Sequence, residues 1–535
     1  MEVIRSRALP PLRGPGTVPL RKRKSKLYSK DGEDAGAGLF GENVYFVVFA
    51  VAFRVLNCFL VRTSFVPDEY WQSLEVAHNM TFHYGYLTWE WTEGLRGFTY
   101  PLLFAAVYKV LYWIGQDEVC LLIWFPRLIQ AVFSGIADVK LYSVMRQMET
   151  TNVAKWVRAA GPAKTAVQYF SQLCSWFTWF CSSRTLTNTM ETVLGILALH
   201  YYPLEGSRTK NSTKYLFFVA LAFLVRPTAL ILWVPLLLYH FSREQKRLDL
   251  IIHQCMPVGL LTFGGSIMID WVYFGKWTVV QWNFLKFNVL QNVSSFYGAH
   301  PWHWYITQGF PVIIGTHLPF FIHGCTMAPR RYRVLLVAIV WTVLVYSALS
   351  HKEFRFIYPI LPFCMIFCGF SFSSIKRWKK PAIGLLVLSN LLPALYTGLI
   401  HQRGALDIMT NIQQLCHKEN SSLLVLMPCH SLPYYSHVHC PVKMSFLECP
   451  PDLEDDDTYV DEADLFYLSP LAWLNAEFYH SKLLPTHLVM FSALEEGIRP
   501  FLKTNHYVRT ASVFHTHLPE GRIGSHIYMY ERQVK

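Results

Sequence analysis

The sequence predicts a polytopic α-helical membrane protein with a C-terminal α/β domain. Of its 535 residues, 52% are hydrophobic and 16% are charged, whereas a soluble protein carries about 25% charged residues. Apolar runs of membrane-spanning length recur from Val44 to Ile400, and about 20 such residues are needed to cross a bilayer as a helix. Beyond Ile400 the chain is more polar and its patterns alternate between strand and helix. We therefore predict two structured regions, 41–400 in the membrane and 401–535 outside it.

Basic residues are concentrated ahead of the first span. Residues 1–30 contain nine Lys and Arg residues and a single acidic residue, Glu2. Because positive residues beside a first span stay in the cytosol, we predict that residues 1–40 form a disordered basic cytosolic tail. Because this basic tail orients the first span, the net charge of +12 does not indicate nucleic-acid binding. We expect no cleavable signal peptide, because no short apolar segment with a cleavage site precedes the first span.

The distribution of Lys and Arg among the loops predicts about 11 membrane crossings, give or take two. An odd number places residues 401–535 on the side opposite the tail, which is the lumen for a protein of the endoplasmic reticulum. The long loops 63–118 and 273–309 fall on that same side.

Two apolar segments are too short or too interrupted to be simple spans. Pro101–Ile114 is short, and we expect an interfacial or re-entrant helix there. The run 215–242 is broken by the tripeptide 226–228, Arg-Pro-Thr. We predict two short helices joined at that tripeptide.

Two adjacent carboxylates, Asp68 and Glu69, follow directly on the first apolar run. Pro67 fits the first turn of a helix because its missing N–H needs no partner there. On that helix Asp68, Gln72 and Glu75 fall near one face, with Glu69 one step round. A solvated helix start with acidic residues in its first turn explains the same pattern. The choice between a helix start and an active site therefore depends on the rest of the chain.

Every other polar cluster that could do chemistry falls on the predicted luminal face. These clusters are Ser183–Glu191 with Arg184, the single Arg226, His300–Tyr305, and His351–Arg355. A polyisoprenoid-phosphate transporter, the main alternative of another class, would distribute ionisable residues across the membrane depth. Clustering on one face favours an active site.

The combination of acids and cations at a membrane surface fits sugar transfer from a lipid phosphate. A carboxylate can activate a hydroxyl as nucleophile, and cations can stabilise a departing phosphate. The guanidinium of Arg355 and the ammonium of Lys352 suit a phosphate at headgroup depth. Snorkelling at the interface is the competing explanation for these two cations. Trp and Tyr residues in the luminal loops suit the apolar faces of sugars, although interfacial aromatics are common.

Four of these stretches, in this order, resemble glycosyltransferase family 22, the dolichyl-phosphate-mannose-dependent mannosyltransferases. They are Pro67–Glu75 (PDEYWQSLE), Ser183–Glu191, Tyr297–Tyr305 and His351–Phe356 (HKEFRF). The resemblance runs from about residue 40 to 400 and implies a GT-C fold in the endoplasmic reticulum membrane. It also implies an inverting reaction in which β-linked dolichyl phosphate mannose yields an α-linked mannose, with no obligatory metal or cofactor.

Three further segments are most similar to the branch of the family that adds the third mannose of the glycosylphosphatidylinositol (GPI) core. They are Ser73–His78, Gly85–Trp91 and Met427–Tyr434. This similarity implies an α1,2 linkage to the second mannose of a GPI precursor glycolipid. A mannosyltransferase of dolichol-linked oligosaccharide assembly is the alternative within the enzyme class.

The resemblance also implies roles for individual residues. Asp68 is the expected general base, and Glu69 would orient it or the acceptor. The donor phosphate would be held by His351, Lys352 and Arg355, with Arg184 and Arg226 as lesser candidates. The predicted acceptor and sugar ligands are Gln72, Glu75, His300, Trp302 and His303. Besides the two substrates we expect contact with membrane lipid, and the sequence names no protein partner.

The C-terminal region is predicted to be α/β. Strands are expected at Leu423–Met427, His487–Phe491, Val508–Val513 and His526–Tyr530, with a helix at Ala463–Tyr479 and, as a hypothesis, a flavodoxin-like strand order. In a luminal setting the late cysteines, Cys416, Cys429, Cys440 and Cys449, favour at least one disulfide of undetermined pairing. Cys429, His430, His437, His439 and Cys440 could also be metal ligands, but their spacing matches no strong zinc pattern.

Four Asn-x-Ser/Thr sequons occur in the chain. The predicted topology makes Asn79, Asn292 and Asn420 luminal and open to glycosylation, and it makes Asn211 cytosolic.

Overall fold

A computed structural model describes residues 42–153, 169–204, 212–375, 377–453, 459–479 and 483–533. The chain from Tyr45 to Lys535 forms one compact unit. The predicted tail, residues 1–40, and the sequon at Asn211 lie outside the described residues.

The N-terminal part of this unit is helical, and a mixed sheet with its own helices follows. The α-helices are α1 (Val44–Leu60), α2 (Glu75–Phe82), α3 (Trp89–Thr92), α4 (Thr99–Trp113), α5 (Val119–Val153), α6 (Trp176–Cys181), α7 (Thr187–Tyr201), α8 (Ser212–Val225), α9 (Ala229–Arg243), α10 (Arg247–Leu250), α11 (Met256–Phe274), α12 (Val280–Leu285), α13 (Phe310–Ile314), α14 (Leu318–Met327), α15 (Arg333–Ala348), α16 (Leu361–Ser374), α17 (Lys379–Leu399), α18 (Gly404–Gln413), α19 (Tyr435–Val438), α20 (Glu462–Leu468), α21 (Pro470–Glu477) and α22 (Glu495–Thr504). The strands are β1 (Ser422–Leu426), β2 (Lys443–Phe446), β3 (His487–Phe491), β4 (Tyr507–Phe514) and β5 (His526–Arg532).

Six helical segments among the described residues are long and apolar enough to cross a membrane. They are Val119–Met148, Arg247–Phe274, Tyr305–Met327, Arg330–Ala348, Phe354–Ser374 and Lys379–His417. Three shorter apolar helices, α1, α8 and α9, accompany them. Large apolar side chains such as Leu260, Leu261 and Leu388 are exposed on these helices, as expected of surfaces that face lipid. The count of about 11 crossings stays a prediction.

The run 215–242 folds as two helices, as predicted. Helix α8 ends at Val225 and helix α9 begins at Ala229. Pro227 lies between them and cannot donate the backbone hydrogen bond that a continuous helix would need there. The short segment predicted at Pro101–Ile114 is helix α4, which buries Tyr100, Phe104 and Tyr108.

A buried ion pair joins the first span to α5. Arg54 Nε lies 2.6 Å from Asp138 Oδ2, and both side chains are almost fully buried. Because an unpaired charge within a membrane is costly, this pair allows both residues to occupy apolar segments.

The C-terminal sheet has the strand order β2-β1-β3-β5-β4. Strand β1 pairs in parallel with β2 and β3, whereas β5 runs antiparallel to both β3 and β4. All four predicted strands are present, and β2 is an additional one. The flavodoxin-like order is wrong, because β5 is inserted between β3 and β4 and is antiparallel to its neighbours.

The helix and the disulfide predicted for this region can both be compared with the structure. The expected single helix at Ala463–Tyr479 is two helices, α20 and α21, because Pro470 disfavours a helical conformation at Ser469. The expected disulfide is confirmed, and there are two: Cys416–Cys440 and Cys429–Cys449.

Candidate active site

The carboxylate stretch forms a helix that begins at Asp68, directly after Pro67. The backbone N–H of Tyr70 donates to the carbonyl of Pro67 at 3.0 Å. A π-helical turn, Tyr70–Leu74, follows and leads into α2. The side chains of Asp68, Gln72 and Glu75, predicted to lie near one face, contact three different segments, as described below.

Asp68 lies beside the HKEFRF motif. Its Oδ2 atom is 2.5 Å from Arg355 Nη1, and 21% of the Asp68 side chain is exposed. Glu353 fixes Arg355 from the other direction, with Nε–Oε2 and Nη2–Oε1 distances of 2.7 and 2.5 Å. His351 Nε2 lies 3.2 Å from the same Glu353 carboxylate. The result is a chain of alternating charges that ends in a partly exposed carboxylate.

The electrostatics of this chain favour the charged forms of Glu353 and His351. Burial favours the neutral form of Glu353, but Arg355 and His351 outweigh it and hold the pKa of this carboxyl below its ordinary value. Burial likewise opposes protonation of His351, but hydrogen bonds to Glu353 and to the Gly298 carbonyl raise its pKa. Glu353 therefore remains an anion that can orient the Arg355 guanidinium.

Glu69 has a different environment from Asp68. Its Oε2 atom is 2.7 Å from Arg184 Nη1, and both side chains are buried. Arg184 also donates to the backbone carbonyls of Thr63 and Phe180, at 2.6 and 2.9 Å. Arg184 is thus committed to contacts within the protein, and Glu69 is closed to solvent.

The other predicted phosphate ligands also have partners in the protein. The Lys352 ammonium donates to the backbone carbonyls of Leu349 and His300, the latter at 2.8 Å. Arg226 Nε lies 3.1 Å from Glu191 Oε2, and its Nη1 donates to Asn188 Oδ1 at 2.9 Å. Of the five candidates, Arg355 and His351 are therefore grouped with Asp68, and the phosphate-binding roles stay predictions.

The predicted sugar ligands are dispersed. Gln72 donates to Glu90 at 3.2 Å. Glu75 accepts hydrogen bonds from the backbone N–H groups of Tyr434 and Ser436 at 2.7 and 3.0 Å. Burial raises the pKa of Glu75 to about 7, although these hydrogen bonds lower it in part. The remaining three lie in the outer loop, where the ring of His300 stacks on Trp304 and where Trp302 and His303 are exposed.

Glu90 and Arg96 belong to this site and were not singled out from the sequence. Arg96 donates to Glu90 Oε1 from Nε and Nη2, at 3.1 and 2.8 Å. The Arg96 charge also interacts with those of Asp68 and Arg355. The available signal was the position of Glu90 inside the Gly85–Trp91 segment that carries the family resemblance.

One group of possible metal ligands is present among the described residues. The ligand atoms of Cys429, His430 and Cys449 lie within 4.8 Å of one another. The two sulfur atoms are joined in a disulfide, and a disulfide sulfur is not the thiolate that binds zinc. That no metal is obligatory stays a prediction.

The three sequons predicted to be luminal differ in accessibility. Asn292 and Asn420 are exposed and adopt left-handed backbone conformations, with φ of 50° and 55°. Asn79 is half-buried within α2. Glycosylation at all three stays a prediction.

Comparison with known proteins identifies the family. The model of the Alg9-like mannosyltransferase family matches residues 45–439. The chain belongs to this family. The resemblance to glycosyltransferase family 22 is thereby confirmed, and membership in a mannosyltransferase family makes the protein an enzyme and disfavours the transporter alternative.

This Alg9-like mannosyltransferase is similar over nearly its whole length to curated relatives. It is 71% identical to GPI alpha-1,2-mannosyltransferase 3 of Xenopus laevis, covering 97% of each chain. It is 63% identical to the Homo sapiens protein of the same name, covering 98% of this chain and 94% of that protein. Identity to GPI mannosyltransferase 3 of Drosophila melanogaster is 39%, over 86% of this chain and 82% of that protein.

The fold of this family member is similar to that of a solved membrane glycosyltransferase. The crystal structure of ArnT from Cupriavidus metallidurans bound to undecaprenyl phosphate superposes with a TM-score of 0.58, covering 91% of this chain and 97% of that one. At 12% identity the similarity concerns the fold alone. Together with the apolar helices it confirms the predicted multi-pass GT-C fold class.

Proposed function

We propose that the protein transfers mannose from dolichyl phosphate mannose to the second mannose of a GPI precursor, forming the α1,2-linked third mannose. The names and high identities of the vertebrate relatives support this acceptor. The single observation that carries the chemistry is the partly exposed Asp68 carboxylate, 2.5 Å from the Arg355 guanidinium. A base beside a fixed cation is the arrangement that attack by a hydroxyl on a glycosyl phosphate requires.

In the proposed reaction Asp68 takes the proton from the 2-hydroxyl of the acceptor mannose. The hydroxyl oxygen forms a bond to C1 of the donor mannose from the face opposite the phosphate. The bond between C1 and the phosphate oxygen breaks, and its electron pair leaves with dolichyl phosphate. The β-linked donor therefore gives an α-linked product.

Arg355 would stabilise the negative charge that develops on the departing phosphate. Glu353 holds this guanidinium by two N–O contacts of 2.7 and 2.5 Å, so that little reorganisation is needed as charge develops. A donor phosphate bound to Arg355 would also compete with Asp68 for this cation. The carboxylate of Asp68 would then be free to accept a proton.

We place the reaction at the luminal face of the endoplasmic reticulum membrane. The Lys and Arg distribution supports this orientation, with the N-terminus in the cytosol and residues 401–535 in the lumen. In this arrangement the donor and acceptor glycolipids reach the site from the surrounding membrane lipid. Asn79, Asn292 and Asn420 are then available to oligosaccharyl transfer.

The acceptor can be tested in cells that lack this protein. We expect loss of GPI-anchored proteins from the surface, accumulation of a dimannosyl GPI precursor, and asparagine-linked glycans of normal length. Re-expression of the wild-type chain should restore the surface proteins, whereas the Asp68→Asn variant at the same expression level should not. Truncated asparagine-linked glycans with normal GPI anchors would contradict the proposal in favour of dolichol-linked oligosaccharide assembly.

A further inference from the structure

The C-terminal segment 428–436 is bound to the helix that carries Asp68. Trp71 Nε1 donates to the backbone carbonyl of Leu432 at 3.0 Å. The Ser436 hydroxyl and the Tyr434 N–H both donate to Glu75, at 2.5 and 2.7 Å. Trp71 and Glu75 are buried beneath these contacts. These contacts fix segment 428–436 of the C-terminal region against the helix that carries Asp68.

His430 lies near the start of this segment and contacts the helix that carries Asp68. Its ring packs on Trp71, with a centroid distance of 4.6 Å, and on Phe446 at 5.3 Å. Trp71 follows Asp68 by three residues, so His430 packs on the helical segment that carries this carboxylate. Burial lowers the pKa of His430, and the negative charge of Asp68 acts against this lowering.

The backbone at His430 is held in an unusual conformation. Its φ is 61°, in the left-handed region that non-glycine residues rarely adopt. The preceding residue, Cys429, is anchored to Cys449 by a disulfide. Backbone conformations of this kind persist where the surroundings determine them, and they are concentrated at functional sites.

The polar atoms of the His430 ring lie beside the Cys429–Cys449 disulfide, with one ring nitrogen within 4.8 Å of both sulfur atoms. Within the described part of the chain, neither ring nitrogen has a hydrogen-bond partner, although the ring faces are packed. Burial lowers the pKa of His430 to about 4, so the ring is neutral at luminal pH. A neutral imidazole offers one donor and one acceptor, which matches a sugar hydroxyl and not a phosphate.

We infer that His430, held in place by Trp71, forms part of an acceptor-sugar subsite, in which the imidazole hydrogen-bonds a hydroxyl of the same mannose that Asp68 deprotonates. The ligand class is a mannose-terminated glycolipid, and this inference rests on the proposed function. The C-terminal region thereby supplies a substrate-binding group to a site whose charged residues all come from the membrane region.

Two substitutions distinguish the contribution of the ring nitrogens from that of the ring packing. His430→Phe keeps an aromatic ring between Trp71 and Phe446 but removes both nitrogens. His430→Asn tolerates a left-handed backbone and restores a donor group and an acceptor group. The matched control is His506→Phe, because His506 is exposed and has a φ of 58°. The control reports the effect of placing Phe in a left-handed conformation in the same region.

The assay uses the full-length protein in detergent with dolichyl phosphate mannose and a dimannosyl GPI precursor, varying each in turn. We expect His430→Phe to raise the KM for the acceptor about tenfold, the loss of one to two hydrogen bonds, with an unchanged KM for the donor. His430→Asn should recover part of this loss, and His506→Phe should behave as wild type.

Other results would overturn the subsite. These are an unchanged acceptor KM in His430→Phe, an equal rise in the donor KM, or no recovery in His430→Asn. If the wild-type protein does not use the dimannosyl GPI precursor, the proposed function fails. The same comparison of His430→Phe with wild type, made with the mannosyl acceptor that is used, then still decides the subsite.

Discussion

The Glu69 carboxylate lies 2.7 Å from the Arg184 guanidinium, and both side chains are buried. The adjacent Asp68 pairs instead with Arg355 and stays 21% exposed. Two neighbouring carboxylates therefore have different environments, one closed within the protein and one open to a substrate. This difference favours Asp68 as the base. The ion pair between Glu69 and Arg184 fixes the helix that carries Asp68.

Replacing Asp68 with Asn should abolish mannose transfer without loss of protein. The amide keeps the size of the side chain but cannot accept the proton of the acceptor hydroxyl. The measurement is transfer from labelled donor in membranes, normalised to the amount of folded enzyme. Near-normal transfer would refute Asp68 as the base.

Replacing Glu69 with Gln should instead lower stability. It leaves the Arg184 charge buried without a counter-ion, which costs about 3–5 kcal/mol. Thermal unfolding of the purified protein measures this, and the double variant Glu69→Gln with Arg184→Met should be more stable than Glu69→Gln alone. A Glu69→Gln variant of wild-type stability that cannot transfer mannose would assign the catalytic role to Glu69.

Arg355→Gln should raise the KM for dolichyl phosphate mannose about tenfold, the effect of losing one charged hydrogen bond to the phosphate. The comparison variant is Lys352→Met, whose ammonium is bonded to the backbone carbonyls of His300 and Leu349. It should destabilise the protein, and a donor KM raised in this variant as well would assign Lys352 to the same phosphate site. A loss of kcat alone in Arg355→Gln would place the phosphate elsewhere.

Local signals in the sequence predicted the elements of this fold well. Pro227 interrupts an apolar run, and the break between α8 and α9 lies at this residue. Strand β3 is a run of five buried residues, and the prediction matched it. Strand β2 was not predicted because its side chains alternate between exposed and half-buried and carry little apolar pattern. The strand order depends on pairing between distant segments, on which local patterns carry no information.

The sequence predicted which segments form the site, but it did not predict which side chains pair with each other. Charge topology placed Asp68 and the HKEFRF motif on one face, and the structure brings them into contact. The pairing of Glu69 with Arg184 joins residues 115 positions apart, and no periodicity specifies it. Likewise, nothing local to His430 indicates that it packs on Trp71. Such contacts follow from tertiary packing alone.

The contact between α2 and His439, the residue directly after α19, should lose stability in acid. His78 Nε2 lies 3.0 Å from His439 Nδ1, and burial lowers the pKa of His78 to about 3. In the unfolded chain this pKa is about 6.5, so below that pH the unfolded state binds more protons. Stability is then lost as pH falls from about 6.5 towards 3, by up to about 1.4 kcal/mol per pH unit for this group.

Thermal unfolding at pH 7.5 and 5.0 measures this effect. His78→Gln should reduce the difference between the two melting temperatures, whereas His83→Gln, at an exposed position one residue beyond the same helix, should leave it unchanged. An equal difference in wild type and His78→Gln would show that His78 does not titrate with unfolding.

Removing metal ions should leave mannose transfer unchanged. The positive charge that a metal would supply to the departing phosphate is supplied in the proposed mechanism by Arg355, held by Glu353. The possible ligands Cys429 and Cys449 are joined to each other in a disulfide, which leaves no thiolate to bind zinc. The measurement is the transfer rate of purified enzyme before and after dialysis against EDTA. A rate that falls on dialysis and returns with Mg²⁺, Mn²⁺ or Zn²⁺ would show that an ion takes part.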